Sequence, residues 1–152
     1  EHNFVVNYIK EKISEFSYNK KIQTKPHLIN LGRMNHLKTE IKATVKEKLN
    51  PFEIVYKLHP TPAVAGYPKN TAIHNINLLE EHDRGWYSGP IGWISTQYNS
   101  EFKVAIRSGL AKEGQVDIFA GCGITEDSQN DVEYNESEMK FNSILSVLNH
   151  EQ

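Results

Sequence analysis

The chain has 152 residues and a mass of 17.4 kDa, the size of one ordinary domain that can bury a core. Its 17 basic and 19 acidic residues give a formal net charge of −2, so it lacks the basic field of general nucleic-acid binders. A single cysteine, Cys122, excludes an intrachain disulfide and a multi-cysteine zinc site. No apolar run approaches the roughly 18 residues that span a bilayer, and no signal-peptide pattern is found. These features predict a cytoplasmic globular protein whose partner is neither nucleic acid nor membrane.

The first part of the chain predicts two helices around a short strand. Apolar residues three or four apart in NFVVNYIKEKISEF predict an amphipathic helix over residues 3–16. The apolar run HLINL predicts a strand over 27–31. From Leu37 to Leu49 an apolar residue recurs at every fourth position, and this spacing favours a second helix over 36–50.

Turn-forming residues interrupt the middle of the chain. The segment FEIVYKL, at 52–58, fits a helix or a strand equally well. Three prolines and one glycine between 59 and 70 exclude a regular helix or a central strand there. A helix is predicted to resume near Thr71, where apolar residues again follow a helical spacing.

The remainder predicts strands followed by one long helix. Glycines lie between aromatic residues over 85–96, and apolar and polar residues alternate over 101–110. A further strand is predicted over 115–121. The short connections favour an antiparallel meander. An apolar stripe at helical spacing predicts a final helix over about 130–149.

The final helix carries a candidate site. Glu133, Glu136 and Lys140 are three and four residues apart, so they share one helix face. One interpretation is a solvated face with a Glu136–Lys140 ion pair. The other is that the carboxylates hold a hard cation such as Mg²⁺, with the lysine beside it for an anion.

Other candidate groups lie in strands and loops. Gly121 and Gly123 flank Cys122, which suggests either a β-bulge or tight turn, or a nest of backbone N–H groups for an anion. Alternation places Arg107 on a strand, where its guanidinium is either exposed or grips a carboxylate. His59 could exchange a proton near neutral pH. Cys122 has no evident neighbouring base, so we expect a spectator thiol.

The order of these segments is more informative than each segment alone. Five segments follow one another along the chain, namely HPTPAVAGYP, RGWYSGPIGW, AIRSG, FAGCGI and EYNESEMK. In this order they resemble the C-terminal part of the chorismate-utilising enzymes, which include isochorismate, anthranilate, aminodeoxychorismate and salicylate synthases. The HPTP segment and RGWYSGPIGW are most similar to the menaquinone-type isochorismate synthases. Amine-transferring members tend to have a PAGT-SGAPK pattern instead.

The resemblance implies a fold and an activity. The fold would be α+β, with layered antiparallel β-sheets and outer helices, the fold of anthranilate synthase component I. Residues 1–152 would form the C-terminal part of a single chorismate-binding catalytic domain, without its upstream part. The activity would be Mg²⁺-dependent isomerisation of chorismate to isochorismate for menaquinone biosynthesis, by water addition with loss of the ring hydroxyl.

The resemblance also limits what this chain can do alone. The family's acid–base lysine and glutamate precede the Glu1-His2 pair and have no match in these residues. We therefore expect no catalytic acid or base here and an inactive chain in isolation. The alternatives are a salicylate or anthranilate synthase component of the same family, or a non-catalytic fragment that binds anions.

Residue by residue, the resemblance assigns a metal site and a substrate site. Carboxylates associated with Mg²⁺ are matched by Glu1, Glu133 and Glu136. His59 matches a histidine that lines the pocket near the ring. Groups that bind chorismate, through side chains or backbone N–H donors, are matched by Tyr87, Arg107, Gly121, Gly123 and Lys140. Oxygen ligands alone suit Mg²⁺ better than zinc.

Overall fold

A computed structural model of the chain describes residues 2–30, 35–46 and 48–148. The chain forms two compact units, Glu1–Ala63 and Val64–Gln152. Its described elements are helices and antiparallel strand pairs, in agreement with the predicted α+β class. None of the helices in these described ranges is long and apolar enough to cross a membrane.

The first unit alternates helix, strands and helix. Its described elements are α1 (His2–Phe16), β1 (Ser17–Ile22), β2 (His27–Asn30), β3 (Asn35–Lys38), β4 (Ile41–Val45) and α2 (Pro51–Leu58). β1 pairs antiparallel with β4, and β2 pairs antiparallel with β3, so one hairpin is nested within the other along the sequence. Ile13 and Ser17 are buried, and the Ser17 hydroxyl donates to the Ile13 carbonyl, which joins the end of α1 to β1.

The helix predicted over 36–50 is wrong, because this segment forms β3 and β4. A repeat of four residues is compatible with a helix, but it is also a multiple of the two-residue repeat of a strand. Leu37 pairs with Leu28, and Ile41 pairs with Ile22 in the antiparallel registers. Cross-strand pairing of apolar, partly β-branched residues therefore prevails over the helical spacing.

The segment that fitted either state, FEIVYKL, is helical as part of α2. Asn50 is its N-cap, and the Asn50 side chain accepts a hydrogen bond from the Glu53 backbone N–H at 3.0 Å. The Glu53 carboxylate accepts in return from the Asn50 backbone N–H at 2.8 Å, which completes a capping box. Pro51 occupies the first helical turn, where a missing N–H costs no hydrogen bond.

The second unit contains two hairpins and two longer helices. Its described elements, with the short α3 that crosses the division between the units, are α3 (Pro62–Ala65), α4 (Lys69–Leu79), β5 (Pro90–Ile94), β6 (Ser100–Val104), β7 (Ser108–Lys112), β8 (Gln115–Phe119) and α5 (Asn130–Leu148). β5 pairs antiparallel with β6, and β7 with β8. The final helix and the antiparallel pairing are as the sequence predicts. The predicted meander is not formed among the described strands, because β5–β6 and β7–β8 are two separate two-stranded sheets.

Two predictions for this part of the chain need correction. The segment 59–70, predicted to be irregular, contains α3 and the first residues of α4, with cis peptide bonds at His59–Pro60 and Tyr67–Pro68. The single strand predicted over 101–110 is divided into β6 and β7. Arg107 lies in the break between them with φ 48°, a left-handed conformation that ends regular alternation.

Large apolar side chains are exposed in both units. Tyr56 in the first unit and Leu79 and Trp86 in the second are 86%, 81% and 77% exposed. On α5, in contrast, the partly buried residues include Glu133, Glu136 and Lys140, while Tyr134 is 67% exposed. The partly buried face of α5 thus carries charged side chains as well as the apolar Phe141 and Ile144.

Candidate functional site

Lys140 connects α5 to the loop that follows β8. Its Nζ donates to the Gly121 carbonyl oxygen at 2.9 Å and lies 2.6 Å from Oε1 of Glu136. The Lys140 side chain is 14% exposed, whereas that of Glu136 is 43% exposed. The predicted Glu136–Lys140 pair therefore forms, but its lysine points into the structure. Because an ammonium has three donors, one remains for a further acceptor such as a carboxylate.

Cys122 provides a second connection between the loop and the helix. The Ser137 hydroxyl donates to the Cys122 sulfur at 3.4 Å, and the thiol donates to the Glu133 carbonyl oxygen at 3.5 Å. The cysteine is partly buried. These contacts give the thiol a packing role, in keeping with the expected spectator. Together with Lys140, they attach the loop to two consecutive turns of α5.

Tyr87 lies against Gly121 of the same loop. Its ring stacks on Phe119 of β8, with centroids 5.4 Å apart and an interplanar angle of 20°. A Cβ atom built on Gly121 would lie 3.1 Å from the Tyr87 hydroxyl oxygen. Glycine at this position therefore lets the phenol approach the loop backbone. Burial raises the pKa of the Tyr87 hydroxyl, and the nearby Arg84 opposes that shift. The phenol is thus a neutral hydrogen-bond donor at physiological pH.

The need for glycine at position 121 does not come from a left-handed turn. The glycines with positive φ in the described ranges are Gly66, Gly85 and Gly114. Gly121 and Gly123 follow β8 in an extended loop instead. The tight turn that these two glycines suggested is therefore not formed. The requirement at Gly121 is steric, because a side chain there would crowd the Tyr87 hydroxyl.

Backbone hydrogen bonds place Tyr87 and Arg107 on adjoining segments. The Ser88 N–H donates to the Ala105 carbonyl at 2.9 Å, and the Ala105 N–H donates to the Gly89 carbonyl at 2.8 Å. Arg107 is partly buried and follows Ala105 by two residues. The two residues predicted to bind a carboxylate are thus close along paired backbone. Arg107 reaches this place from a bend and not, as predicted, from a strand face.

Sequence reasoning missed Arg84, which is the most extensively bonded side chain near Tyr87. Its Nε and Nη2 donate to the two carboxylate oxygens of Glu80 at 2.7 and 2.5 Å. Its Nη1 donates to the Val64 carbonyl at 2.7 Å, and its guanidinium carbon lies 5.7 Å from the Tyr87 ring centroid. The hydrogen bonds to Arg84 lower the pKa of Glu80, and those to Glu80 raise the pKa of Arg84. The four-residue spacing of Glu80 and Arg84 was the available signal.

The remaining candidates are His59 and Glu1. His59 belongs to the first unit, where it is the C-cap of α2 and its backbone N–H donates to the Val55 carbonyl at 2.8 Å. Glu1, predicted to hold a metal, lies outside the described residues. The cluster that the second unit does bring together consists of Tyr87, Gly121, Glu136 and Lys140, with Glu133 one turn away on α5.

The predicted metal ligands are only partly represented. Glu133 and Glu136 are both partly buried on the same face of α5, one turn apart. Across residues 2–30, 35–46 and 48–148, no group of three His, Cys, Asp or Glu side chains is placed to hold a metal ion. Two carboxylates on one helix face nevertheless fit a hard cation such as Mg²⁺, which takes oxygen ligands and keeps several waters.

Comparison with known proteins shows the family of the chain. A family model described as chorismate binding enzyme matches residues 1–149. The chain belongs to this family. The family that the motif order predicted is thereby confirmed.

The similar proteins are longer than this chain. Isochorismate synthase MenF of Bacillus subtilis is 40% identical over 152 residues, which are 100% of this chain and 32% of that protein. The salicylate biosynthesis isochorismate synthase of Pseudomonas aeruginosa is 39% identical over 148 residues, or 97% of this chain and 31% of that protein. The chain therefore spans about a third of the length of the curated relatives it matches.

A solved structure confirms the predicted fold. A Bacillus anthracis protein described as a 2,3-dihydroxybenzoate-specific isochorismate synthase, DhbC, matches with a TM-score of 0.92 at 31% identity. The match covers 97% of this chain and 40% of that chain. The α+β fold of the chorismate-utilising enzymes is thus present here in part.

Proposed function

We propose that the protein containing this chain is an isochorismate synthase, which converts chorismate to isochorismate with Mg²⁺. The observation that carries the proposal is the convergence of Lys140, Gly121 and Tyr87 at one loop of the second unit. An ammonium and a neutral phenol are suitable donors for a carboxylate, and chorismate is a dicarboxylate. The two isochorismate synthases similar to this chain support the same assignment.

Binding and orientation are the tasks of the described residues. The ammonium of Lys140 donates to a substrate carboxylate while Glu136 and the Gly121 carbonyl hold it in place. Ring stacking on Phe119 restrains the Tyr87 ring, so the position of its hydroxyl oxygen is set before the substrate arrives. Arg107, on the segment that adjoins Tyr87, supplies a cation for the same dianion.

A magnesium ion would occupy the face of α5. Glu133 and Glu136 would hold it with oxygen ligands, and when bound it would neutralise and orient a second substrate carboxylate. Without the ion, these acidic side chains would repel a dianionic substrate. The base that activates water and the acid that protonates the leaving hydroxyl are expected outside this chain, since the family's lysine and glutamate have no match in it.

The proposal also concerns the biosynthetic pathway that uses the isochorismate. The HPTP segment favours the menaquinone route. We propose the cytoplasm as the place of the reaction. One similar protein is named for salicylate biosynthesis instead, so the isomerisation step is common to different routes. A salicylate synthase would additionally eliminate pyruvate from isochorismate, and an anthranilate synthase would introduce an amine.

Product analysis tests the proposal. The full-length gene product that contains this chain is incubated with chorismate and Mg²⁺, with and without ammonia, and the products are separated by chromatography. Isochorismate has the same mass as chorismate and is identified by its retention time against a standard, whereas anthranilate and salicylate are identified by mass. We expect isochorismate with no release of pyruvate. Formation of anthranilate, or of salicylate with pyruvate, would identify the alternative enzymes. The isolated 152-residue chain serves as the control and should not turn over chorismate.

A further inference from the structure

The Glu80–Arg84 pair is built as a fixed support. A bidentate guanidinium–carboxylate contact sets both the distance and the plane of the two groups, and charge assistance makes its hydrogen bonds strong. The side chains of Arg84 and Glu80 are 26% and 29% exposed, so the contact is largely shielded from water. The third hydrogen bond, from Nη1 to Val64 at 2.7 Å, ties the pair to a backbone segment 20 residues earlier.

The same guanidinium faces the ring of Tyr87. Its carbon atom is 5.7 Å from the ring centroid, within the range of a cation–π contact. The Tyr87 N–H also donates to the Arg84 carbonyl at 2.8 Å, which closes a turn between the two residues. The ring is therefore positioned by Arg84 through both side chain and backbone, and by Phe119 through stacking at 5.4 Å.

Acceptors within the protein take three of the five N–H donors of Arg84. The Glu80 carboxylate occupies its Nε–Nη2 edge, and the Val64 carbonyl takes a donor of Nη1. Its charge is balanced by Glu80. The position of the Tyr87 hydroxyl depends on Arg84. The hydroxyl oxygen lies 3.1 Å from the position that a Cβ atom on Gly121 would take.

We propose that Arg84 is a positioning residue for Tyr87, and that the Glu80–Arg84 pair holds the phenol where its hydroxyl can donate to a carboxylate of the substrate. The proposal rests on the proposed function, because it deepens the role of the same site. It predicts that Arg84 acts on substrate binding only through Tyr87.

A double-mutant cycle on the full-length gene product tests this dependence. We expect Arg84→Gln to raise the KM for chorismate about tenfold and to leave kcat within about twofold, the signature of lost uniform binding. Tyr87→Phe should raise KM similarly. In the Tyr87→Phe background, Arg84→Gln should then have little further effect, because coupled residues are not additive. Independent, additive effects would overturn the proposal.

Two further variants separate positioning from a general loss of structure. Arg84→Lys keeps the charge but cannot form the bidentate contact, so it should restore only part of the wild-type KM. Full restoration would overturn the role of the bidentate contact. Lys12→Met removes an exposed ion pair with Glu15 on α1 and should leave KM unchanged.

A readout without turnover keeps the proposal testable if the proposed function fails. The phenol absorbance of Tyr87, taken as wild type minus Tyr87→Phe, is titrated with and without Arg84→Gln. Loss of the nearby cation should raise the pKa of Tyr87 further, because Arg84 opposes the effect of burial. An unchanged titration would contradict the contact. Absence of isochorismate from the wild-type protein would instead refute the proposed function alone.

Discussion

The Nζ atom of Lys140 donates to the Gly121 carbonyl oxygen at 2.9 Å, although the two residues are 19 positions apart. This bond fixes the loop after β8 against α5. It also places the ammonium beside the residue whose lack of a side chain admits the Tyr87 hydroxyl. The loop, the helix and the phenol are therefore in contact through Gly121. A substitution in one of them should shift the position of the others.

Gly121→Ala should displace the Tyr87 hydroxyl. The new Cβ would lie 3.1 Å from that oxygen, closer than ordinary contact, so the phenol or the loop must move. In the full-length protein we expect the KM for chorismate to rise roughly tenfold with kcat little changed. The decisive comparison is between the effect of Gly121→Ala on KM in the wild-type protein and its effect in the Tyr87→Phe background. If the alanine is equally harmful without the hydroxyl, the steric explanation is wrong.

Glu136→Ala should weaken metal binding as well as the hold on Lys140. The variant loses one of two carboxylates on the proposed magnesium face and the partner of Lys140 at 2.6 Å. We expect activity to be lost at ordinary Mg²⁺ and to return in part at concentrations about ten- to a hundredfold higher. Glu138→Ala, an exposed carboxylate on another face of α5, is the matched control. Wild-type dependence on Mg²⁺ in Glu136→Ala would exclude a metal role.

Acid should weaken the Glu80–Arg84 pair. Hydrogen bonds from Arg84 hold the pKa of Glu80 below its ordinary value of 4.5. The folded state therefore binds this proton less readily than the unfolded state, and the pair stabilises the fold above about pH 4.5. Its contribution is lost as the pH falls through the lowered pKa.

Thermal unfolding measures this difference. Between pH 7 and pH 5, wild type should melt at a higher temperature than Glu80→Gln, and the gap should close as the solution is made more acidic. Lys12→Met, which removes an exposed pair, provides the comparison. A gap that stays constant down to pH 3 would show that the charge of Glu80 does not matter.

The elements that were predicted correctly are those whose sequence periodicity and composition indicate the same structure. α1, β2, β8 and α5 agree with the periodicity or composition of their segments. Segment 36–50 was mistaken because a four-residue spacing suits two structures, and only pairing with β1 and β2 decides between them. Arg107 was placed on a strand because alternation continues through 101–110, whereas a left-handed residue divides that run.

The candidate site was predictable in its members but not in its connections. Motif order pointed to Tyr87, Gly121, Glu136 and Lys140, which the structure brings together. The hydrogen bond from Lys140 to a backbone carbonyl has no sequence signal. Arg84 was missed because a Glu–Arg pair four residues apart normally indicates an exposed helix face. Its contacts with Val64 and the Tyr87 ring depend on tertiary structure.

The central claim is that the cluster around Lys140 binds a carboxylate of chorismate. The most direct test is the dissociation constant of chorismate, measured by titration calorimetry with the full-length protein and with Lys140→Met. Lys112→Met, an exposed lysine of β7, is the control. We predict affinity at least about tenfold weaker in Lys140→Met, the loss of one charge-assisted hydrogen bond, and no change in Lys112→Met. Equal affinity in all three proteins would contradict the account.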